Sequence, residues 1–426
     1  MRENHVRPGV QRYGYLIKAV LYGLAAIYLL NCVSHLRLHT DMLRYFAIKD
    51  CVELGCPPDS VAAKDYLPWG YTGLLLLLSK IGILKSSVLV FINCLYLFGG
   101  LLFVRKLCGF SLPSFIPAVL VLLNWTIIKF VTHPLSEMQY LFFSMASLYY
   151  FHCYSERRRV GYLLAAFAAA ALAFVTRSVG LALVAALAGG LVWEFRLQLI
   201  ELVRRNRLLF GVVIAVLAGV VIFSRQLGLN HYTGVFGKQF REGLTLGKML
   251  RWHFMEWSEL CFNVPGIKLA AYFGAGRVDM LFFVTGIFFF SGFVYLLFFR
   301  KNHIPVIVKI YLLCYSVLMF DWPFYDPRFW VPVVPLVAVV FCTIPFRGGG
   351  WRKVFIGGWL TVYLSVGLVA VLYFTYTSVS AKTMARTQAN GAFRNEYETI
   401  WYGKPLSDTA RHIDSAALEV IRRYDR

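Results

Sequence analysis

Along its 426 residues the chain repeatedly enters apolar blocks about as long as a hydrocarbon core is thick, and this recurrence constrains the fold more than any motif. Blocks such as 16–33, 208–223 and 280–299 match the roughly 20 helical residues needed to cross a bilayer. They lack the alternation of a membrane β-strand, so they read as helices. Apolar residues make up 59% of the chain and charged ones 15%, whereas a soluble domain carries about a quarter charged residues. The expected fold is an all-α integral membrane protein with about eleven transmembrane helices.

Spans are predicted at 16–33, 87–104, 113–130, 138–152, 161–175, 180–195, 208–223, 280–299, 304–320, 329–345 and 354–374. The net charge of +21 follows from topology, because Lys and Arg cluster at block ends: Arg157-Arg158-Arg159, Arg204-Arg205 with Arg207, Arg300-Lys301 and Arg352-Lys353. Such clusters hold short loops in the cytoplasm, which excludes a nucleic-acid partner as their explanation. Trp69–Leu84 decides the parity. It is short and carries Gly70, Gly73, Ser79, Lys80 and Gly82, so we read it as a helix lying in the interface. Every basic cluster then falls inside.

Arg7, Arg12 and Lys18 flank the first block, and no small-residue cleavage site follows, so a retained helix is expected there. One polytopic unit, 1–374, carries exterior loops 34–86 and 224–279, followed by a short exterior tail, 375–426. Leu244–Phe262 repeats aromatic and aliphatic residues at helical spacing among charges, and is expected to lie on the membrane surface.

The nine cysteines form no CxxC or Cys/His metal spacing. Cys51 and Cys56 share the first exterior loop and pair if that side is oxidising. No Walker-type loop and no internal repeat occur. The sequon Asn124-Trp-Thr falls inside a span and none falls in the large exterior loops, which favours a bacterial inner membrane.

Ionisable residues at span ends on one side are candidate functional groups. On the exterior side lie His39-Thr40-Asp41 with Arg44 and Tyr45, then Lys64-Asp65-Tyr66-Leu67-Pro68-Trp69-Gly70-Tyr71. The junction of spans three and four reads Thr132-His133-Pro134-Leu135-Ser136-Glu137. Span five ends at Thr176-Arg177, and span ten opens with Asp326-Pro327-Arg328-Phe329-Trp330.

In that order the chain resembles the GT-C glycosyltransferases, which use polyprenyl-phosphate sugars and include the protein O-mannosyltransferases and aminoarabinose transferases. The matching features are Asp41 in the first loop, Pro68-Trp69-Gly70-Tyr71 leading an interfacial helix, Glu137 at the span three/four turn, and Arg328 opening a span with Pro332 and Pro335. They cover roughly residues 10–345. The first loop has no Asp-x-Asp, which leaves a divalent metal open and no cofactor assigned, and the large C-terminal domain of some relatives is missing.

The resemblance implies transfer of a sugar from a polyprenyl-phosphate donor to a lipid, glycan or protein acceptor on the exterior, periplasmic face. Asp41 would be the general base. Arg328 and Arg177 would bind the leaving phosphate, with Lys64 and His133 behind them. Glu137 would orient donor or acceptor hydroxyls, and Tyr45 and Tyr66 would line the substrate site.

Plainer readings stand beside these. Asp41 pairs with Arg44 or Arg37, Glu137 pairs with His133 at helical spacing, Arg328 snorkels to the interface, and Asp326 forms a turn. A lipid-linked glycan polymerase or ligase and a polytopic transporter or flippase are the competing functions. Repeats and mid-membrane charges, which a transporter tends to show, are absent from the sequence.

Overall fold

The computed structural model describes residues 8–109, 115–198, 230–344, 350–387, 393–406 and 412–425. Among them all regular structure is helical. In chain order the helices are α1 (Pro8–Leu30), α2 (Thr40–Leu54), α3 (Trp69–Lys80), α4 (Ser86–Leu107), α5 (Ile116–Leu122), α6 (Trp125–Val131), α7 (Glu137–Arg157), α8 (Val160–Thr176) and α9 (Gly180–Glu194). There follow α10 (Asn230–Arg241), α11 (Leu246–Phe262), α12 (Gly266–Phe273), α13 (Ala275–Val294), α14 (Val306–Phe320), α15 (Val334–Cys342), α16 (Gly350–Val379), α17 (Ala381–Thr387), α18 (Arg394–Tyr402) and α19 (Ser415–Tyr424).

Four stretches are long and apolar enough to cross a membrane: Tyr15–Val33, Ser86–Leu107, Ala275–Phe299 and Lys353–Val379. Shorter apolar helices span Val160–Thr176, Gly180–Glu194, Val306–Phe320 and Pro327–Cys342. Only 17% of the most apolar window of Lys353–Val379 is buried, and 39% of that in Ser86–Leu107. Their remaining apolar side chains, Phe355, Val369 and Leu95 among them, face outward, where a soluble protein rarely keeps a continuous apolar belt. The predicted span at 208–223 lies outside the described residues, as do Arg204, Arg205 and Arg207.

α3 begins and ends at the same end of the bundle. At its start, Gly70 lies so close to the end of α8 that a Cβ there would sit 2.8 Å from Val175 O. At its finish, Ser79 bonds to Glu53 of α2 at 2.8 Å. Ser86, opening α4, then donates to Ser34 O at 2.9 Å, just beyond α1. α3 therefore returns the chain to the level it left.

The predicted span 113–130 is two short helices with a break at Leu123-Asn124. Asn124 caps α6 by accepting from Thr126 N at 3.0 Å, and its amide donates to Leu260 O and Tyr363 Oη. Asn263, left-handed at φ 62°, donates to Leu123 O at 2.7 Å and accepts from Trp125 N at 2.7 Å. Irregular backbone inside an apolar bundle survives where protein satisfies its polar groups in this way.

Two further segments find their partners within the bundle. α11, expected on the membrane surface, packs along α13 and buries Met249, His253, Glu256, Trp257 and Glu259. Gly286 of α13 lets the backbone of α11 approach so closely that any side chain there would meet Phe254 O. In the short segment after the last predicted span, α16 runs on to Val379, α17 packs against α16 and α18, and α18 and α19 dock against the 34–54 stretch. Tyr397 Oη donates to Leu36 O and accepts from Leu38 N, Asp425 pairs with His35 at 2.6 Å, and Tyr424 bonds to the fully buried Lys49 at 2.7 Å. Cys51 and Cys56 are joined by a disulfide.

Candidate functional site

α2 starts because His39, in extended conformation, accepts from Asp41 N through its ring at 3.2 Å. That places the Asp41 carboxylate in the first turn, where the helix dipole favours an anion. One turn on, Arg44 donates to Asp41 at 3.2 Å and forks onto Asp65 with bonds of 2.8 and 2.7 Å. The Arg44 guanidinium also stacks over Tyr66 at 4.7 Å.

Arg328 arrives from the 3-10 turn Pro327–Val333, which Asp326 caps by accepting from Arg328 N at 2.9 Å. Its side chain does not snorkel. It is 5% exposed and turns inward among three carboxylates. Nη2 donates to Asp41 at 2.7 Å, while Nε lies 3.2 Å from Asp326 and 3.4 Å from Glu137. Glu137, in the first turn of α7 and fully buried, also takes a short bond from Arg177, the residue that ends α8. Arg177 reaches Ser136 at 3.2 Å, and Ser136 in turn meets Tyr45 Oη at 3.1 Å. Phe329 lies under both guanidiniums, 5.1 Å from Arg328 and 5.8 Å from Arg177.

Five separate segments thus meet in one charge cluster. Glu137 Oε2 is buried there and accepts no hydrogen bond among the described residues. A buried carboxylate oxygen without a donor is a place for a ligand hydroxyl or a water. Burial works against the charge on Asp41, but Arg328, His39 and Arg44 outweigh it and hold the carboxyl below its usual range. His39 is also held below its ordinary value, by burial first and then by Arg328.

Of the residues expected in the site, Asp41, Glu137, Arg177, Arg328 and Tyr45 come together, and Tyr66 stands one side chain back. His133 and Lys64 do not join them. His133 Nδ1 bonds to Lys129 O at 2.7 Å, not to Glu137, and burial with the nearby charges of Arg37 and Lys129 keeps its ring neutral. Lys64 is exposed and pairs with Asp59 at 2.6 Å. Arg37 is likewise no partner of Asp41: its guanidinium bonds to Thr377 and Ser378, at 2.9 Å each. Among the described residues no three His, Cys, Asp or Glu side chains converge with metal-ligand geometry.

Sequence reasoning missed the contribution of α11. Glu256 accepts from Asp326 N at 2.6 Å and from Trp330 Nε1 at 2.8 Å, so it grips the turn that carries Arg328. His253 bonds to Glu256 at 2.8 Å through Nδ1 and donates from Nε2 to Trp322 O at 2.7 Å. Burial opposes charge on that ring, but the bond to Glu256 overrides it and raises the histidine above its ordinary value. Glu259 accepts from Tyr325 Oη at 2.5 Å and from Gly266 N at 2.6 Å, and burial pushes its carboxyl up to about 7. The one available signal was helical: His253, Glu256 and Glu259 recur every three residues on α11.

No family model, curated protein or solved structure matches the chain.

Proposed function

We propose that this chain is a polytopic membrane glycosyltransferase of the GT-C kind, with about eleven spans, acting on the exterior face of a bacterial inner membrane. It moves a sugar from a polyprenyl-phosphate donor to an acceptor hydroxyl. The observation that carries this reading is that Asp41, Glu137 and Arg328, far apart in the chain, meet in one ion-pair network at one end of the helical bundle. A lipid phosphate, with its tail in the bilayer, holds its headgroup at such an end.

In this reading the acceptor oxygen attacks the anomeric carbon, its proton passes to Asp41, and the bond to the phosphate oxygen breaks with its electron pair. Arg328 couples the two halves. Before donor binds, it sits on Asp41 and weakens that carboxylate as a base. A phosphate arriving at Arg328 competes for the guanidinium and releases basicity at Asp41. Negative charge then grows on the leaving oxygen, where a fixed cation stabilises the transition state more than the ground state. Glu137 Oε2, without a hydrogen-bond partner among the described residues, accepts from a sugar hydroxyl.

The test is direct. Purified protein in detergent is incubated with a polyprenyl-phosphate sugar, and lipids that co-purify are identified by mass spectrometry. Release of free polyprenyl phosphate with a glycosylated product supports transfer. Stable donor with no product, or donor translocated intact in vesicles, would favour a carrier instead.

A further inference from the structure

α1 and α4 run antiparallel, and two bonds pin their register. Ser86, opening α4, donates to Ser34 O at 2.9 Å, and further along α4 Cys94 Sγ donates to Tyr28 O at 3.6 Å. Tyr28 Oη donates in turn to Leu122 O at 2.7 Å, which brings the end of α5 to the same level. Ten residues further from the Asp41 end, α1 has reached Lys18 and α4 has reached Val104, with Arg105 next. α5 starts beside them, because the Arg105 guanidinium lies 4.8 Å over the ring of Phe115. Ten helical residues rise about 15 Å, half of a hydrocarbon core about 30 Å thick.

Over this half the three helices do not close on one another. A crevice of about 260 Å³ lies between them, with Pro335 of α15 in its wall. Ala25 of α1 and Ala118 of α5 line it and are too short to fill it. Phe98, whose ring is 6.2 Å from that of Tyr28, marks its deep end, and Arg105 marks the other. Among the described residues that line it, Arg105 alone is charged. Tyr22 and Leu102, also in the lining, are exposed, so the crevice opens on the outer face of the bundle.

The end at Arg105 is positive. Lys18, one turn from Leu21 and Tyr22 on the same face of α1, and Lys106 are exposed like Arg105. The three lie over rings, Lys18 on Tyr15 at 5.9 Å, Arg105 on Phe115 at 4.8 Å and Lys106 on Tyr149 at 5.8 Å, and make no ion pair among the described residues. None of the four helices that form the crevice carries a carboxylate. Topology accounts for the side of the membrane on which such cations lie. It does not account for an apolar crevice that ends at them.

We propose that this crevice binds an anionic glycerophospholipid of the leaflet opposite the Arg328 cluster, one acyl chain between α1, α4 and α5 and the phosphate at Arg105. The site is independent of the glycosyltransferase reading. A void leaves its lining without van der Waals partners, and an acyl chain supplies them over the depth of one leaflet. The phosphodiester supplies the anion that Lys18, Arg105 and Lys106 lack within the chain, as basic pockets between membrane helices do for acidic headgroups. A zwitterionic headgroup adds an ammonium that the same three cations repel.

The full chain, freed of co-purifying lipid in detergent, is titrated with dioleoyl phosphatidylglycerol and with dioleoyl phosphatidylcholine, and bound lipid is read by native mass spectrometry. One basic residue at a membrane surface is worth about fivefold in affinity for an anionic lipid, so the parent should prefer phosphatidylglycerol by about tenfold or more. Arg105→Gln should lose about fivefold of that preference and Arg105→Lys should keep it. Ala25→Phe and, from the α5 side, Ala118→Leu fill the crevice and should abolish the tight site. The unfolding midpoint of each variant in lipid-free detergent separates lost binding from lost folding. A parent without preference, a preference that survives Arg105→Gln, or a tight site that survives both filled variants overturns the proposal. So does an equal loss in Lys301→Gln, outside the crevice, which would make the effect one of overall charge.

Discussion

Replacing Glu137 by Gln removes one negative charge and almost no volume. In the native protein this carboxylate is fully buried, and its Oε1 is shared by Arg177 and Arg328. After the change, Arg328 keeps Asp41 and Asp326. Among the described residues Arg177 keeps Ser136 and the face of Phe329, so the uncompensated charge falls on Arg177, whose side chain is 15% exposed. Breaking a buried pair by deleting one partner costs about 3–5 kcal/mol. The amide oxygen of Gln still accepts a bond, which places the expectation near the lower end, about 3 kcal/mol.

The assay is a thermodynamic cycle in detergent micelles, following unfolding of the parent, Glu137→Gln, Arg177→Gln and the double variant at equal protein concentration. If the cost is an orphaned buried charge, the double variant is more stable than the sum of the two single changes predicts, by about 1–3 kcal/mol of coupling. Strict additivity would mean that Glu137 and Arg177 are held by packing alone. A Glu137→Gln protein as stable as the parent would refute the reasoning, because the cluster would then have no electrostatic dependence on its most buried member.

Asp41→Asn keeps size and the bond to Arg328 but not the proton acceptor, so turnover should fall about 10² to 10⁴-fold with donor binding largely kept; initial rates at saturating donor check it, and near-parental turnover would leave Asp41 as a simple ion-pair residue. Lys80→Cys should react with a membrane-impermeant thiol reagent added from outside and Arg105→Cys should not, in a background without other reactive thiols; labelling of both, or of neither, would break the parity argument built on α3. Glu259 predicts a pH dependence of stability. Its folded value of about 7 lies above the ordinary 4.5, so the native state binds the proton more tightly than the unfolded chain does. That contribution is complete below about pH 4.5, is lost as pH rises to about 7, and is on the order of 3 kcal/mol in total. Glu259→Gln, permanently neutral, should flatten the stability profile across this interval, and an unchanged slope would show that Glu259 titrates normally.

What could be read in the sequence was depth, and what could not was direction around a helix. A bilayer confines charges to the ends of apolar blocks, so Asp41, Glu137, Arg177 and Arg328 had to share a level once parity was assigned. Their meeting in one network follows from that constraint, although they are spread along nearly the whole chain. Arg328 seen alone is an interface arginine expected to reach for water. Only the positions of Asp41, Asp326 and Glu137, supplied by distant segments, turn its guanidinium inward.

The same limit explains α11. Charges interleaved with aromatics at helical spacing describe a two-faced helix, and periodicity is identical whether the polar face meets headgroups or a buried partner. Trp330 Nε1, Asp326 N and Trp322 O are that partner, and all three come from the turn beyond α14. Asn124 differs, because its signal was local: a capping residue two positions before Thr126, set inside an apolar block, marks a helix start where a continuous span was drawn. A polar residue in such a block therefore has two local readings, a cap or a ligand. Backbone capping identifies Asn124 as the first.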